Sequence, residues 1–509
     1  MSPLPLALRD LAPEAEMEAF ERLKPRLAEL WSVIFPGDAE HYTSVVVPSM
    51  TLEEDVLRRL PGLSFYEERL LFFLTRLRNP KARLVYVTSQ PVHPLVLDYY
   101  LQFLTDIPGS HARARLTLLC AHDSSPRPLT AKILERPRLL ARIRAAIPDR
   151  SRAYLTVFDA TPLERRLAVA LDVPLNGIDP RLGHLGSKSG ARRVFLEAGV
   201  PFPLGADGLR DEVQVIEALG ELAARRPGLE RAILKRDDGF AGEGNALVHL
   251  PRDSHPEALR AALRGLTSGR AGEPWDAYLE RFARAGGVVE EYLDAPQRAS
   301  PSVQVRLNPR GDVILTSSHD QILGGPSGQI FRGCRFPADE SYREDVQEAA
   351  LRVGRVLAGK GVVSRLSVDF LALRGGPGQP WLLSANEINL RLGGTTHPFL
   401  ALRFLTSGAL DAGGQFRTTA GVAKFYRATD NLESDGYRGL LPEDLIEILT
   451  LNGLHWDPAT ETGVLFHLIG AVSEFGKLGL TAIANSPAEV EALYARTLAV
   501  LDREAAREF

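Results

Sequence analysis

The segment RAILKRDDGFAGEGNALVHL, residues 231–250, constrains the fold more than any other part of the chain. Two apolar strands flank a turn that holds Gly239, Gly242 and Gly244, and Lys235 lies near the end of the first strand. Because glycines lack side chains, backbone N–H groups can approach phosphate oxygens there, while the ammonium supplies positive charge. The lysine precedes the glycines, so this is not a Walker A loop. The segment predicts a turn that can wrap a polyphosphate, and an ordinary glycine turn is the alternative.

Lysine is scarce in this chain, since lysine and arginine together number 60 and only eight of them are lysines. Arginine replaces lysine on a solvated face, but less easily where a compact charge must fit beside a phosphate. Lys188 lies at the predicted start of a helix in residues 184–203, where free backbone N–H groups and the helix dipole favour an anion. Without a second phosphate-binding element, the better interpretation of Lys188 would be a solvated lysine. Together with Lys235 it predicts a second phosphate contact.

Two strands joined by the turn RGGPGQ carry a candidate metal site. Glu387, Asn389 and Arg391 alternate along the second strand, so their side chains share one face. Asp369 belongs to the first strand, and Mg²⁺ commonly binds one or two carboxylates together with substrate phosphates. The prediction requires Asp369 and Glu387 to share a face, which a slip of one residue would prevent. An ordinary polar face of a half-exposed sheet is the alternative.

Two further strands supply candidate binding residues. Glu290 and Glu291 end an apolar strand just before Leu293, which suits an adenine and a ribose hydroxyl, although two carboxylates could equally be surface charge. In SVQVRLN, Gln304 and Arg306 alternate with valines, so an amide and a guanidinium on one face could meet a carboxylate or acyl phosphate. The alternative for Arg306 is a surface arginine. This strand and DVILTSS read as an antiparallel hairpin closed by PRGD.

The order of the elements predicts an α/β (α+β) chain with three domains, at residues 1–183, 184–412 and 413–509. Strands and helices alternate between residues 83 and 120 in a Rossmann-like unit that lacks the glycine fingerprint of dinucleotide binding. The first 75 residues are mostly helical, with Pro25 interrupting the pattern. A helix is expected from about Asp339 to Ala358, and Ser486 is expected to cap the last helix.

Composition excludes several classes of function. The formal net charge of -4 argues against a general nucleic-acid binder, which would show a basic excess. Two distant cysteines allow neither a disulfide framework nor a CxxC metal pair. No window reaches the apolar length of a membrane span, and no basic start precedes an apolar stretch, so we expect a cytoplasmic protein with small-molecule partners.

Taken in order, the motifs SKSG, ILK with GFAGEGN, VVEEYL, SVQVR, SVDF and NEINLR resemble the sequential elements of the ATP-grasp superfamily. TSQPVHPLVLDYYL, LGSKSGARRVFLEAGVP and GVLFHLIGAVSEFGKLGLTAIANSP resemble more closely the pheganomycin-type peptide ligases of secondary-metabolite biosynthesis. The resemblance implies a Rossmann-like pre-ATP-grasp domain, an ATP-grasp domain and a small C-terminal α/β domain. It also implies ATP, Mg²⁺ and a carboxylate–amine ligation through an acyl phosphate, with an amino acid or peptide as partner and a possible homodimer.

The resemblance also assigns roles to particular positions. It implies that the phosphates lie at Lys188 and Lys235 with the glycine turn, the adenine hinge at Glu290, Glu291 and Leu293, and the metal at Asp369, Glu387 and Asn389. Arg306 and Arg391 would stabilise the transferring charge, and Gln304, Arg306 and Arg332 would contact substrate. Asp369 stands where many members carry glutamate, which requires a closer strand. GGPSGQIFRGCRF, residues 324–336, resembles a mobile loop near the reacting centre. A small-molecule kinase and a non-catalytic nucleotide sensor are the alternatives.

Overall fold

The architecture is that of a computed structural model, which describes residues 12–34, 40–104, 107–239, 242, 244–268, 273–324 and 330–506. Three residues of the glycine turn (240, 241 and 243) and residues 325–329 of the expected mobile loop lie outside the described residues. Among the helices in these ranges, none is long and apolar enough to cross a bilayer.

The N-terminal part is a parallel four-stranded sheet with helices packed around it, as the Rossmann-like pattern predicted. The strands are β1 Tyr42–Val47, β2 Ala82–Thr88, β3 Leu116–Cys120 and β4 Ala153–Val157, in the order β3-β2-β1-β4. The helices are α1 Pro13–Ile34, α2 Glu54–Leu57, α3 Pro94–Leu101, α4 Gly109–Arg113, α5 Leu129–Leu134, α6 Pro137–Ala145 and α7 Pro162–Leu171. A 3-10 segment, Leu63–Arg78, follows α2. The interruption expected at Pro25 was wrong, because α1 continues through it.

The next part is an antiparallel five-stranded sheet in the order β5-β9-β6-β7-β8. Its elements are α8 Lys188–Ala198, β5 Gly205–Leu209, α9 Glu212–Arg225, β6 Arg231–Arg236, β7 Asn245–His249, α10 Pro256–Arg264, β8 Thr267–Ser268, α11 Trp275–Ala285 and β9 Gly287–Glu291. Helices α9, α10 and α11 supply apolar side chains to a core beneath this sheet. The strands on either side of the glycine turn, β6 and β7, pair directly, with Lys235 opposite Asn245.

A nine-stranded antiparallel sheet forms the rest of the molecule. Its central elements are β10 Gln297–Ala299, β11 Pro301–Leu307, β12 Val313–Gly324, β13 Ile330–Phe336, α12 Arg343–Gly359, β14 Ser364–Arg374, β15 Leu382–Asn389 and α13 Thr396–Thr406. Both predicted hairpins are confirmed, since β11 pairs with β12 and β14 with β15. Helix α12 begins at Arg343 rather than Asp339, because the Asp339 side chain accepts hydrogen bonds from Ser341 in a turn ahead of the helix.

The C-terminal residues add three strands to this large sheet and also form a separate two-stranded sheet, β16 Ala409–Leu410 with β17 Phe416–Arg417. Their other elements are β18 Phe425–Glu433, α14 Pro442–Leu451, β19 Gly463–His467, α15 Val472–Phe475, β20 Lys477–Ala484 and α16 Pro487–Ala505. The strand order β13-β18-β20-β19 joins them to the central strands, and one apolar core unites them with the 3-10 segment and α3. Ser486 caps α16 as predicted. The domain boundaries remain predictions, and β18, β19 and β20 add to an existing sheet.

Candidate active site

Lys188 begins helix α8 and contacts the nine-stranded sheet. Ser187 caps the helix by accepting a hydrogen bond from the backbone N–H of Gly190 at 3.0 Å. The Lys188 ammonium lies 2.6 Å from Glu387 Oε1 on β15. A second N–H at this helix end, that of Ser189, donates to the carboxylate of Asp237 at 2.7 Å. A carboxylate therefore already occupies the position where the helix terminus favours an anion.

Lys235 joins the five-stranded sheet to the same strand, β15. Its ammonium lies 2.6 Å from Asn386 Oδ1 and 2.8 Å from Glu290 Oε2. Glu290 is only 3% exposed, and its other oxygen accepts a hydrogen bond from Arg192 at 2.6 Å. Although burial opposes it, these two cations lower the pKa of Glu290. The two lysines thus lie at the junction of the two antiparallel sheets, next to Glu387.

Glu290 and Glu291 face opposite sides of β9, because neighbouring residues of a strand alternate. Glu291 accepts hydrogen bonds from the backbone N–H of Leu204 and from Arg226, each at 2.9 Å. The structure therefore brings Glu290 to Lys235 and does not bring Glu291 there. Leu293 is half-buried just beyond the end of β9, in the connection to the nine-stranded sheet.

The glycine turn between β6 and β7 is tightly closed. A Cβ on Gly244 would lie 2.7 Å from the Cα of Gly239, and Gly242 has a φ of +84°. Any side chain at Gly244 would push the two ends of the turn apart, and a φ in this region favours glycine. Asp237, at the start of the turn, holds the N-terminus of α8 through the contact described above. The turn and the lysine-bearing helix are therefore adjacent.

Asp369 and Glu387 face each other across β14 and β15, so the register condition of the metal site is met. Asn389 donates a hydrogen bond to Asp369 at 3.0 Å, and Ser302 donates to the same carboxylate at 2.6 Å. Burial and the neighbouring Glu387 raise the pKa of Asp369 to about 6. Burial acts to raise the pKa of Glu387, but Lys188, Arg391 and Lys235 together lower it.

This donor set fits a divalent cation. Two carboxylates and an amide oxygen are hard oxygen ligands, and Mg²⁺ usually completes its shell with water and substrate phosphates. Two carboxylates that share one site repel each other, and a cation between them removes that cost. No group of three or more His, Cys, Asp and Glu side chains with metal-binding geometry occurs in the described residues, so phosphate oxygens would have to supply further ligands.

A β-bulge at this point explains a residue that the sequence prediction missed. The pairing shifts between Asp369 and Phe370, so that Glu387 and Ala385 oppose consecutive residues of β14 and Asn386 is left over. The extra residue lets Asn386 reach Lys235 while Glu387 reaches Lys188. Strict alternation would have turned Asn386 away from the cleft, and no sequence signal marks a bulge here.

The remaining predicted residues lie at several different places. Arg391 donates to Asn389 Oδ1 at 3.2 Å, directly beside the carboxylates. Gln304 donates to Thr395 at 2.9 Å and is held by the loop before α13. Arg306 is 5% exposed and lies in a cavity that Arg391 also lines, where it donates to Asn176. Arg332 is exposed on β13, beside the part of the loop that lies outside the described residues.

His319, His397, His467 and Cys334 are all buried. The Nε2 atoms of His397 and His467 lie 2.9 Å apart in the core, and the Nε2 atom of His319 lies 2.6 Å from the Tyr426 hydroxyl oxygen. Burial raises the pKa of the Cys334 thiol, which suits a passive small residue.

Comparisons with known proteins identify the family. Residues 180–264 and 256–413 match the family described as IQCH-like, ATP-grasp, and residues 444–497 match the PGM1 C-terminal domain. L-propargylglycine--L-glutamate ligase of Streptantibioticus cattleyicolor is 33% identical over 470 residues, which cover 90% of this chain and 93% of that protein. IQ motif-containing protein H of Danio rerio is 26% identical over 405 residues, covering 70% of this chain and 38% of that protein.

Solved structures show the same fold at low identity. The biotin carboxylase of Campylobacter jejuni in complex with β,γ-ATP superposes with a TM-score of 0.55 at 15% identity, covering 89% of this chain and 90% of that one. The ADP complex of N5-carboxyaminoimidazole ribonucleotide synthetase gives 0.51 at 13% identity, covering 91% and 98%. Together with the ligase relative, they show that this chain belongs to the ATP-grasp superfamily, in the pheganomycin-type peptide ligase family of ATP-dependent carboxylate–amine ligases.

Proposed function

We propose that this protein activates the carboxylate of an amino acid or a related small acid with Mg²⁺-ATP, and joins it to the amino group of a second amino acid or peptide. The observation that carries the proposal is the meeting of Lys188 and Lys235, from two different elements, at the carboxylate-bearing strand β15. The bacterial relative is named as a ligase of L-propargylglycine and L-glutamate, which supports a peptide-like product.

The reaction has two balanced steps. A carboxylate oxygen attacks the γ-phosphorus of ATP, and ADP leaves. The amine nitrogen then attacks the carbonyl carbon of the acyl phosphate, phosphate leaves and the amine loses a proton. Catalysis of this kind depends on positioning and on charge stabilisation, and it needs no protein nucleophile.

The residues of the cleft have distinct tasks in this proposal. The phosphates bind to Lys188, Lys235 and the N-terminus of α8. For this, Lys188 must release Glu387, and the N-terminus of α8 must release Asp237. Asp369, Glu387 and Asn389 hold Mg²⁺, which neutralises phosphoryl charge when it is bound. Arg391 lies beside Asn389 and orients the reacting carboxylate or the leaving phosphate.

A mass-spectrometric screen tests the proposal. Purified protein is incubated with ATP, Mg²⁺ and pools of amino acids and amines, and the products are weighed while ADP and phosphate are measured. We expect a product whose mass is the sum of two reactants less water, formed together with amine-dependent ADP and phosphate. A stable phosphorylated acid that forms without amine would instead establish a kinase and refute the proposal.

Two variants give this screen its control. Glu387→Ala removes a carboxylate of the proposed metal site, so we expect turnover to fall to background. Glu447→Ala changes an exposed glutamate of α14, away from β15, and we expect no change. Undiminished turnover of Glu387→Ala would exclude the assigned metal site.

A further inference from the structure

A cavity of about 520 Å³ lies between β4, the first residue of β1, helix α1, the 3-10 segment and the nine-stranded sheet. We call it the arginine cavity, because five of its lining residues are arginines: Arg76, Arg78, Arg306, Arg365 and Arg391. Among the lining residues, all of which belong to the described part of the chain, Asp159 is the one carboxylate. Its volume is that of a small-molecule site.

Two of these arginines face each other directly. Arg306 on β11 is the cross-strand partner of Arg365 on β14. Like charges in directly opposite positions destabilise a sheet, so this pair costs stability in the protein as it stands. Burial, with Arg365 and Arg76 nearby, lowers the pKa of Arg306 well below its ordinary value. Burial, with Arg403 and Arg76, likewise lowers the pKa of Arg365 to about 10.

The positive charge of the cavity is held in place by neutral groups. Arg76 donates to the hydroxyls of Ser44 and Thr156, and Arg306 donates to the Asn176 amide and lies 4.8 Å from the centre of the Trp31 ring. The Nε atom of Arg306 is buried, and no described residue accepts a hydrogen bond from it. Neutral partners fix the orientation of a guanidinium and leave its charge for a ligand.

The cavity lies on the same face of the sheet as the proposed metal site. Asp369, Ser367 and Arg365 follow each other at every second position of β14, so Arg365 is roughly 13 Å along the strand from Asp369. Arg391 lines the cavity and also contacts Asn389, which contacts Asp369. A molecule in the cavity would therefore extend from Arg391, which lies beside the phosphoryl group in the proposed reaction, to the facing residues Arg306 and Arg365.

We propose that the arginine cavity binds the carboxylate substrate, and that this substrate carries a second anionic group held by Arg76, Arg306 and Arg365. The inference rests on the proposed ligase function, since it assigns the other end of the activated acid. Arg306 is buried and Arg365 is half-buried, and such a guanidinium pair can bind a carboxylate or a phosphate monoester by charge-assisted, bidentate hydrogen bonds. A substrate with a single carboxylate would leave the opposed charges uncompensated, which is costly in a buried site.

Matched pairs of acids test the charge requirement. The ligation screen is run with L-glutamate against L-glutamine and with O-phospho-L-serine against L-serine, which separates a carboxylate from a phosphate as the second group. We expect the enzyme to ligate the doubly anionic member of a pair. Its kcat/KM should exceed that of the matched neutral member by roughly 100-fold. Equal or better use of the neutral member overturns the inference and leaves the ligase function standing.

Variants locate the effect in the cavity. In Arg365→Gln, we expect a KM for the anionic acid that is raised roughly 10- to 100-fold with little change in kcat, and Arg365→Lys should recover part of the loss. Arg355→Gln is the matched control, because Arg355 is an exposed arginine of α12 that pairs with Glu348. An unchanged KM in Arg365→Gln would contradict the assignment.

Binding measured without turnover separates the two proposals. If no acid is ligated, the ligase function fails, and calorimetric titration of L-glutamate and O-phospho-L-serine into the wild type and Arg365→Gln still decides the inference. Binding to the wild type that is lost in Arg365→Gln supports the arginine cavity as an anion site. Absence of binding by both dianions overturns it.

Discussion

Glu290 is the residue whose replacement we expect to cost the most stability near the proposed site. Its carboxylate is 3% exposed and lies within 2.8 Å of Lys235 and 2.6 Å of Arg192. Glu290→Gln keeps the size of the side chain but leaves two cations facing a neutral amide. Removing one partner from a buried ion pair costs about 3–5 kcal/mol. At about 1.4 kcal/mol per factor of ten, opening of this sheet becomes roughly a hundred to several thousand times more frequent.

Hydrogen exchange of the β6 and β9 amides measures this loss, because exchange reports the free energy of local and subglobal opening. Glu291→Gln is the matched control on the adjacent residue. Glu291 faces the other side of β9 and pairs with Arg226, whose side chain is 55% exposed, so we expect a loss of no more than about 1 kcal/mol. Unaltered protection in Glu290→Gln, or an equal loss in Glu291→Gln, would refute the reasoning.

The pH dependence of the same pair follows from the sign of the shift. The pKa of Glu290 is lowered in the folded protein, whereas a glutamate in the unfolded chain has a pKa of about 4.3. The stabilisation is therefore fully present above about pH 4.3 and is lost as the pH falls through the lower folded value. We expect the difference between the wild type and Glu290→Gln to shrink only under these acidic conditions. A difference that shrinks near pH 7 would argue against an ionised Glu290.

Three further variants probe the cleft. Lys188→Met removes a phosphate contact, so it should lower amine-dependent ADP release by roughly 10²- to 10³-fold. It should also raise the pKa of Glu387, which Lys188 lowers. Retained turnover would contradict the role of Lys188. Burial and Glu387 raise the pKa of Asp369 to about 6, so its own contribution to the free energy of unfolding should fall as the pH rises from about 4 through 6. Glu67 and Glu68, with raised pKa values of about 7, are common to both proteins, so thermal melts should show the effect as a change over that range in the Tm difference between the wild type and Asp369→Asn; a constant difference would contradict it. Gly190→Ala should weaken ATP binding in a titration, because a Cβ at this position clashes with the preceding turn and displaces the start of α8. Gly183→Ala is the control at a position open to solvent, and this variant should bind ATP normally.

Much of the fold could be predicted from local patterns. The strand runs, the turns at PRGD and at the glycines after β6, and the Ser486 cap depend on neighbouring residues, and the structure contains each of them. Errors arose where a local rule was too strict, as at Pro25, which lies inside α1 although proline usually interrupts a helix. Domain boundaries and the roles of individual site residues remain predictions.

The candidate site was predicted only in part. Lys188, Lys235, Asp369 and Glu387 could be singled out, because few other residue types serve phosphate or magnesium in such positions. Asn386 could not, since its orientation depends on the bulge between β14 and β15.

The sequence by itself determined which elements form and which residue types are available for phosphate and metal binding, because these follow from periodicity, capping and side-chain chemistry over a few residues. Only the tertiary structure decided that Lys188 meets Glu387, and that Arg306 faces Arg365 in a cavity closed by the N-terminal part of the chain. The physical reason is that strand register and the packing of distant segments set which charges become neighbours. The energy of two charges depends on their distance and burial in space, which a pattern along the chain does not contain.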